Sequence, residues 1–209
     1  MPYTFFDMIK QNISFRGAQR RVGKALAAIP LSPNQWTIIA VLVALVAGVM
    51  IAFYHDFGAG ALLFIFAGLI DSIDGAVARA RGQITKLGGF IDGLSDRVVE
   101  AIIIFSFMFY PLPTVIIDPK IWLAAALFFG TCIPSFVRAY AHHKEVMSKE
   151  EALALGGICE RGERLIIMGL GGLGGVLYSM EFFVYAFILV SVLSLITIVQ
   201  RLSRVVRSA

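Results

Sequence analysis

Apolar runs of about 20 residues, the length an α-helix needs to cross a bilayer core of roughly 30 Å, recur along this chain. They fall near 35–54, 59–79, 90–110, 121–141, 164–180 and 182–200. A sequence that is 58% hydrophobic and only 15% charged is too apolar for an ordinary soluble domain. The spacing predicts an all-α polytopic membrane protein in which residues 30–209 form one domain of six transmembrane helices. Residues 1–29 read as an amphipathic interfacial helix lying on the membrane surface, because Phe5, Phe6, Ile9 and Ile13 are interleaved with basic residues. Pro30 and Pro33 end that segment. The start of the chain lacks the pattern of a cleavable signal peptide.

Orientation follows from the cations. With the N-terminus inside, Lys10, Arg16, Arg20, Arg21 and Lys24, then Arg79, Arg81 and Lys86, then Arg138, Lys144, Lys149, Arg161 and Arg164, and finally Arg201, Arg204 and Arg207 all fall on the cytoplasmic side. Only Lys120 falls in an outer loop. This asymmetry predicts that both termini are cytoplasmic. The net charge of +4 reads as that bias plus attraction to anionic membrane lipids, and argues against nucleic acid as a partner. Cys132 and Cys159 lack metal-site spacing and read as small packing residues. His142 and His143 are adjacent, point in different directions on a helix, and read as structural. The glycine-rich run Gly169–Gly175 lies within a predicted helix and reads as a close packing face.

The apolar pattern is broken where chemistry is expected. Between Asp71 and Asp96 the chain runs D-S-I-D-G-A-V-A-R, eight further residues, then G-G-F-I-D-G-L-S-D. Asp71 and Asp74 share one helix face, and Asp92 and Asp96 share another. Carboxylates at membrane depth are costly and usually functional. Two such faces together make a cluster of hard oxygen ligands that calls for divalent cations. Arg79 supplies a permanent cation whose planar fork suits phosphate oxygens. Gly75 and Gly88 fit places where a helix or a substrate meets the backbone closely. Glu100, one turn past Asp96, reads either as support for the cluster or as a partner of a nearby arginine.

The string D-x-x-D-G-x-x-A-R-x(8)-G-x-x-x-D-x-x-x-D resembles the signature of the CDP-alcohol phosphotransferases. Asp71, Asp74, Gly75, Ala78, Arg79, Gly88, Asp92 and Asp96 fill its fixed positions. The resemblance implies a homodimer of six-helix bundles that uses two divalent cations, magnesium or manganese, near the cytoplasmic surface. It implies that Asp71, Asp74 and Asp92 bind metal, with Asp96 a further ligand or the catalytic base. It also implies that Asn34, Asp71, Gly75, Ala78 and Arg79 bind CDP. The reaction so implied is attack of an acceptor hydroxyl on the β-phosphorus of a CDP-linked alcohol, with CMP leaving.

The acceptor is expected from the region after the fourth helix, where Arg138, Arg161 and Arg164 can clamp a second phosphate. The string Gly-Gly-Ile-x-Glu-Arg-x-Glu-Arg at 156–164 is similar to that of phosphatidylinositol-phosphate and archaetidylinositol-phosphate synthases. This similarity implies inositol phosphate, held by Arg138, Arg164 and either Arg201 or Arg204. Tyr140 departs from that group, which often has a second basic residue there. The expected partners are therefore a CDP-linked lipid, the CMP product, a phosphorylated polyol and membrane lipids. Glycerol phosphate as acceptor and a soluble CDP-inositol donor remain alternatives within the family. Outside it stand an aspartate-motif prenyltransferase and an ion-coupled transporter.

Overall fold

The structure, a computed structural model, describes residues 25, 26 and 28–208. The interfacial helix expected over 1–29 lies almost wholly outside the described residues. The described chain is helical, and a long helix stands at each of the six expected places: α1 (Pro33–Tyr54), α2 (Phe57–Arg81), α3 (Lys86–Phe107), α4 (Pro119–His143), then after a short α5 (Lys149–Leu153) come α6 (Arg161–Leu177) and α7 (Met180–Ser208). Among the described residues, α1, α2, α4 and α7 are long and apolar enough to cross a membrane. Helix α3 carries Lys86, Asp92, Asp96, Arg97 and Glu100, and α6 is 17 residues long. The helices pack as two compact units that divide between Tyr110 and Pro111.

In the first unit, local sequence sets each helix end. Ser32 caps α1 in a capping box with Gln35, and Pro33 occupies the first turn, where a missing N–H costs nothing. His55 in the left-handed region closes α1, and Asp56 caps α2 by accepting from the Ala59 N–H. Gly82, at φ 66°, closes α2, as a position that disfavours any side chain requires. Thr85 then caps α3 through the Gly88 N–H. The three helices pack through Ala44, Ala67 and Val99, with Phe64 and Ile102 among the half-buried residues around them. Arg81 ties the approach to α1 onto the end of α2, donating to the backbone carbonyls of Leu31 and Ile29. The start of α1, the end of α2 and the start of α3 are thereby gathered at one end of the unit.

The second unit holds a feature with no expectation behind it. Helix α4 widens into a π-helical stretch over Ala126–Cys132 before resuming as α-helix. The segment after α5 lies against α7. The Cys159 N–H donates to Thr197 Oγ1 at 3.0 Å, the Ile158 N–H to Gln200 Oε1 at 3.1 Å, and Arg204 Nη1 to the Gly156 carbonyl at 3.2 Å. Cys159 is buried here as the packing reading expected, and burial pushes its thiol up to about 11.

The Gly169–Gly175 run packs as expected, at a helix-to-helix contact. A Cβ on Gly171 would stand 2.2 Å from the Ala186 Cβ of α7, whereas nothing lies within 4 Å of one on Gly169. Alanine at the two positions should therefore act in opposite directions. Gly171→Ala should destabilise the detergent-solubilised protein by about 1–3 kcal/mol through overpacking. Gly169→Ala should be neutral or stabilising by about 0.5–1 kcal/mol through helix propensity. Thermal unfolding of the two variants checks this contrast.

Candidate active site

The aspartates sit where the three helix ends of the first unit meet. Asp71 and Asp74 lie one turn apart on α2, and Asp92 lies near the start of α3. Each offers a carboxylate oxygen, and these oxygens lie within 4.8 Å of one another. Asp74 is buried and accepts a hydrogen bond from Thr37 Oγ1 of α1, itself buried, while Asp92 faces outward. Asp96, one turn beyond Asp92, is outside this group of three. Its Oδ2 stands 3.7 Å from Arg97 Nη1, and the same Arg97 nitrogen donates to the Gly93 carbonyl at 2.8 Å. Glu100 lies a turn further along and is buried.

A cavity of about 480 Å³ opens beside the carboxylates. Asn34, Gly75, Ala78 and Arg79, all expected to contact the nucleotide, line it together with Thr37, Asp74, Thr85, Gly88 and Asp92. Arg79 folds back over the preceding turn of its own helix, and a Cβ on Gly75 would come 3.2 Å from Arg79 Nη1. The glycine leaves room for the guanidinium to lie against the helix. A Cβ on Gly88 would meet Thr85 Oγ1 at 3.0 Å and Asn34 Oδ1 at 3.7 Å, so α1 and α3 approach closely on this wall. The caps of both helices, Ser32 and Thr85, also line the cavity. Helix N-termini present partial positive charge. The cavity lining therefore brings together a cation, two helix starts and carboxylates.

Three carboxylates so close repel one another unless a cation sits among them, and the Thr37 hydroxyl can stabilise only one oxygen. Hard oxygen donors at this density fit a divalent cation such as magnesium or manganese. Asp71, Asp74 and Asp92 would hold it.

The second unit contains its own charged cluster. Arg201 of α7 is only 3% exposed, and donates from Nη1 to the Pro134 carbonyl at 2.5 Å. Its Nη2 donates to both oxygens of Glu160 at 2.7 Å. Arg138 of α4 donates from Nη2 to the Leu155 carbonyl at 2.9 Å, and that nitrogen stands 3.6 Å from Glu160 Oε2. Glu160, the residue before α6, thus joins two of the arginines expected to bind acceptor. Arg161 opens α6 and Arg164 follows on its next turn, buried at 6% exposure. The stem of Arg164 crosses the π-helical stretch at Gly130, where a Cβ would lie 3.0 Å from Arg164 Cδ and 3.2 Å from Ser194 Oγ. Arg204 is turned to the Gly156 carbonyl.

Two of these residues were not singled out from sequence. Thr37 becomes visible only once α1 is known to pack against the aspartate turn of α2. Glu160 had a signal, a glutamate at the head of the E-R-x-E-R string, but nothing in the spacing ties it to Arg201.

The model of the family described as CDP-alcohol phosphatidyltransferase matches residues 30–198. The archaetidylinositol phosphate synthase of Pyrococcus horikoshii is 36% identical over 181 residues, which cover 87% of each chain. Among solved structures, the phosphatidylinositol phosphate synthase of Mycobacterium tuberculosis with CDP-DAG bound superposes with a TM-score of 0.74 at 25% identity, covering 90% of this chain and 92% of the other. The same mycobacterial protein in complex with manganese and citrate gives a TM-score of 0.75 at 25% identity, covering 90% and 88%. This chain belongs to the CDP-alcohol phosphatidyltransferase family.

Proposed function

We propose that the chain is a six-span membrane phosphotransferase of phospholipid synthesis that moves a lipid phosphate group from a CDP-linked lipid to a hydroxyl of inositol phosphate, releasing CMP. The observation that carries this reading is the convergence of Asp71, Asp74 and Asp92 beside a cavity walled by Asn34, Gly75 and Arg79. The acceptor class is supported by the relatives, which are named as archaetidylinositol and phosphatidylinositol phosphate synthases. The donor class is supported by the solved mycobacterial synthase with CDP-DAG bound.

On this reading the CDP pyrophosphate lies in the first unit's cavity. Arg79 pairs with its oxygens, the N-termini of α1 and α3 face its negative charge, and Asn34 contacts the nucleotide. Asp71, Asp74 and Asp92 hold two divalent cations, and Thr37 fixes the rotamer of Asp74. Bound there, the cations neutralise the pyrophosphate and the charge that builds on the leaving CMP oxygen. The acceptor oxygen forms a bond to the β-phosphorus as the bond from that phosphorus to the bridging oxygen of CMP breaks. Asp96 takes the hydroxyl proton or joins the ligand set. Arg138, Arg161 and Arg164 of the second unit hold the acceptor's own phosphate. We further assign the protein to the cell membrane of a prokaryote as a homodimer, with its termini and active site cytoplasmic.

Release of labelled CMP from CDP-lipid by the purified protein, over a panel of acceptors, tests the reaction. Turnover should vanish in EDTA and return with magnesium or manganese. Asp92→Asn should lower it roughly 100-fold or more. CMP release that persists in EDTA would refute the metal assignment, and none with any donor would refute the enzyme reading.

Acceptor recognition has its own signature. Arg164→Ala should raise the inositol phosphate KM about tenfold or more while changing kcat little, as expected for a lost charge-assisted contact made equally in the ground and transition states. Arg207→Ala, at an exposed position in the last turn of α7, should leave both constants near wild type. Equal effects of the two substitutions would contradict the assignment. A lower KM for glycerol phosphate than for inositol phosphate would move the acceptor to that class and leave the donor site intact.

A further inference from the structure

We propose that Glu160 is a positioning residue that sets acceptor affinity by holding the Arg138 guanidinium in its working orientation. The inference rests on the reading above that Arg138 contacts the acceptor's phosphate, and it goes beyond that reading in assigning a role to a carboxylate. Two guanidinium groups from α4 and α7 converge on this one side chain, and without a shared anion they would repel each other. Their environments differ. Arg201 is buried, with Nη1 fixed on the Pro134 carbonyl and Nη2 fixed on Glu160. It anchors the carboxylate. The side chain of Arg138 keeps 29% of its exposure and that of Glu160 keeps 24%, so their pairing lies on the open side of the cluster.

The Arg138–Glu160 contact is also the looser one. At 3.6 Å it is an ion pair without a short hydrogen bond, whereas Glu160 to Arg201 is 2.7 Å. A carboxylate gripped from behind and facing a partly exposed arginine sets that arginine's direction. The Leu155 carbonyl accepts from the same nitrogen, Nη2, at 2.9 Å. A carbonyl and a carboxylate on one arm of the planar fork fix the direction of that arm. The backbone beneath is held in turn, since the segment that carries Glu160 is bonded to Thr197 and Gln200 of α7. The chain from Arg201 through Glu160 to Arg138 therefore runs from a buried anchor to a working cation.

The test is acceptor kinetics on the full-length protein with CDP-lipid saturating and inositol phosphate varied. Glu160→Gln should raise the acceptor KM about five- to tenfold, with kcat within about threefold and the CDP-lipid KM unchanged. Glu160→Asp, which keeps the charge, should recover part of the loss and serves as the second variant if the glutamine protein folds poorly. Because Glu160 acts through Arg138, its substitution should add little in an Arg138→Ala background, whereas independent roles would multiply. An unchanged or lowered acceptor KM in Glu160→Gln, or a multiplicative double variant, would overturn the proposal. If Arg138→Ala raises the acceptor KM and Glu160→Gln does not, only the positioning role falls. If Arg138→Ala itself leaves that KM unchanged, the acceptor assignment falls first and the positioning role with it.

Discussion

Like charges forced together organise the first unit. Asp71 and Asp74 reach across from α2 to meet Asp92 of α3, with their oxygens within 4.8 Å of one another. Water that would screen them is displaced around the buried Asp74, which accepts a hydrogen bond from the Thr37 hydroxyl. Such a centre is favourable only when it is loaded, so binding and structure are linked at this point. The other features of the unit bring about or exploit the meeting. Gly82 turns the chain within a short loop, Thr85 starts α3, and Arg81 pins the approach to α1, whose Thr37 lies beside Asp74.

The same end of the unit carries the opposite polarity a few residues away. Ser32 and Thr85, the caps of two helices, line the cavity, and Arg79 lies folded over Gly75. A cavity lined by both carboxylates and positive groups suits a ligand that is itself a metal-bound pyrophosphate. The division of labour in the second unit is different. There the arginines already have internal partners, and Glu160, the Leu155 and Pro134 carbonyls and the space over Gly130 decide where each guanidinium can go.

Much of this was legible in the sequence because it depends on local spacing. Runs of about 20 apolar residues mark helices whatever they pack against, and intervals of three and four place aspartates on shared faces. The positions of Asn34, Gly75, Ala78 and Arg79 around one cavity followed from motif resemblance and appear in the geometry. Other features depend on which helix lies beside which, and spacing carries no such information. Thr37 is an ordinary threonine near a helix start until α1 is laid against α2. Glu160 reads as an end-of-loop charge until Arg201, 41 residues on, is brought to it. The π-helical stretch of Ala126–Cys132 has no mark of its own in an apolar run, although Gly130 at its centre is where Arg164 needs room. Helix ends moved by a few residues for a local reason: the Gly82 and Thr85 caps carry α2 and α3 past where hydropathy alone would end them.

The central claim is that three carboxylates from two helices form one shared divalent-metal centre. Titration of manganese into the purified, detergent-solubilised protein, followed by the loss of the free-ion paramagnetic resonance signal, addresses it without any turnover. Wild-type protein should take up manganese stoichiometrically in the presence of a CDP-lipid. Asp71→Asn and Asp74→Asn on α2, and Asp92→Asn on α3, should each weaken that uptake strongly, since each removes one member of a shared ligand set. Undiminished manganese binding by the Asp92→Asn protein, or equal binding by a variant lacking all three carboxylates, would contradict the account.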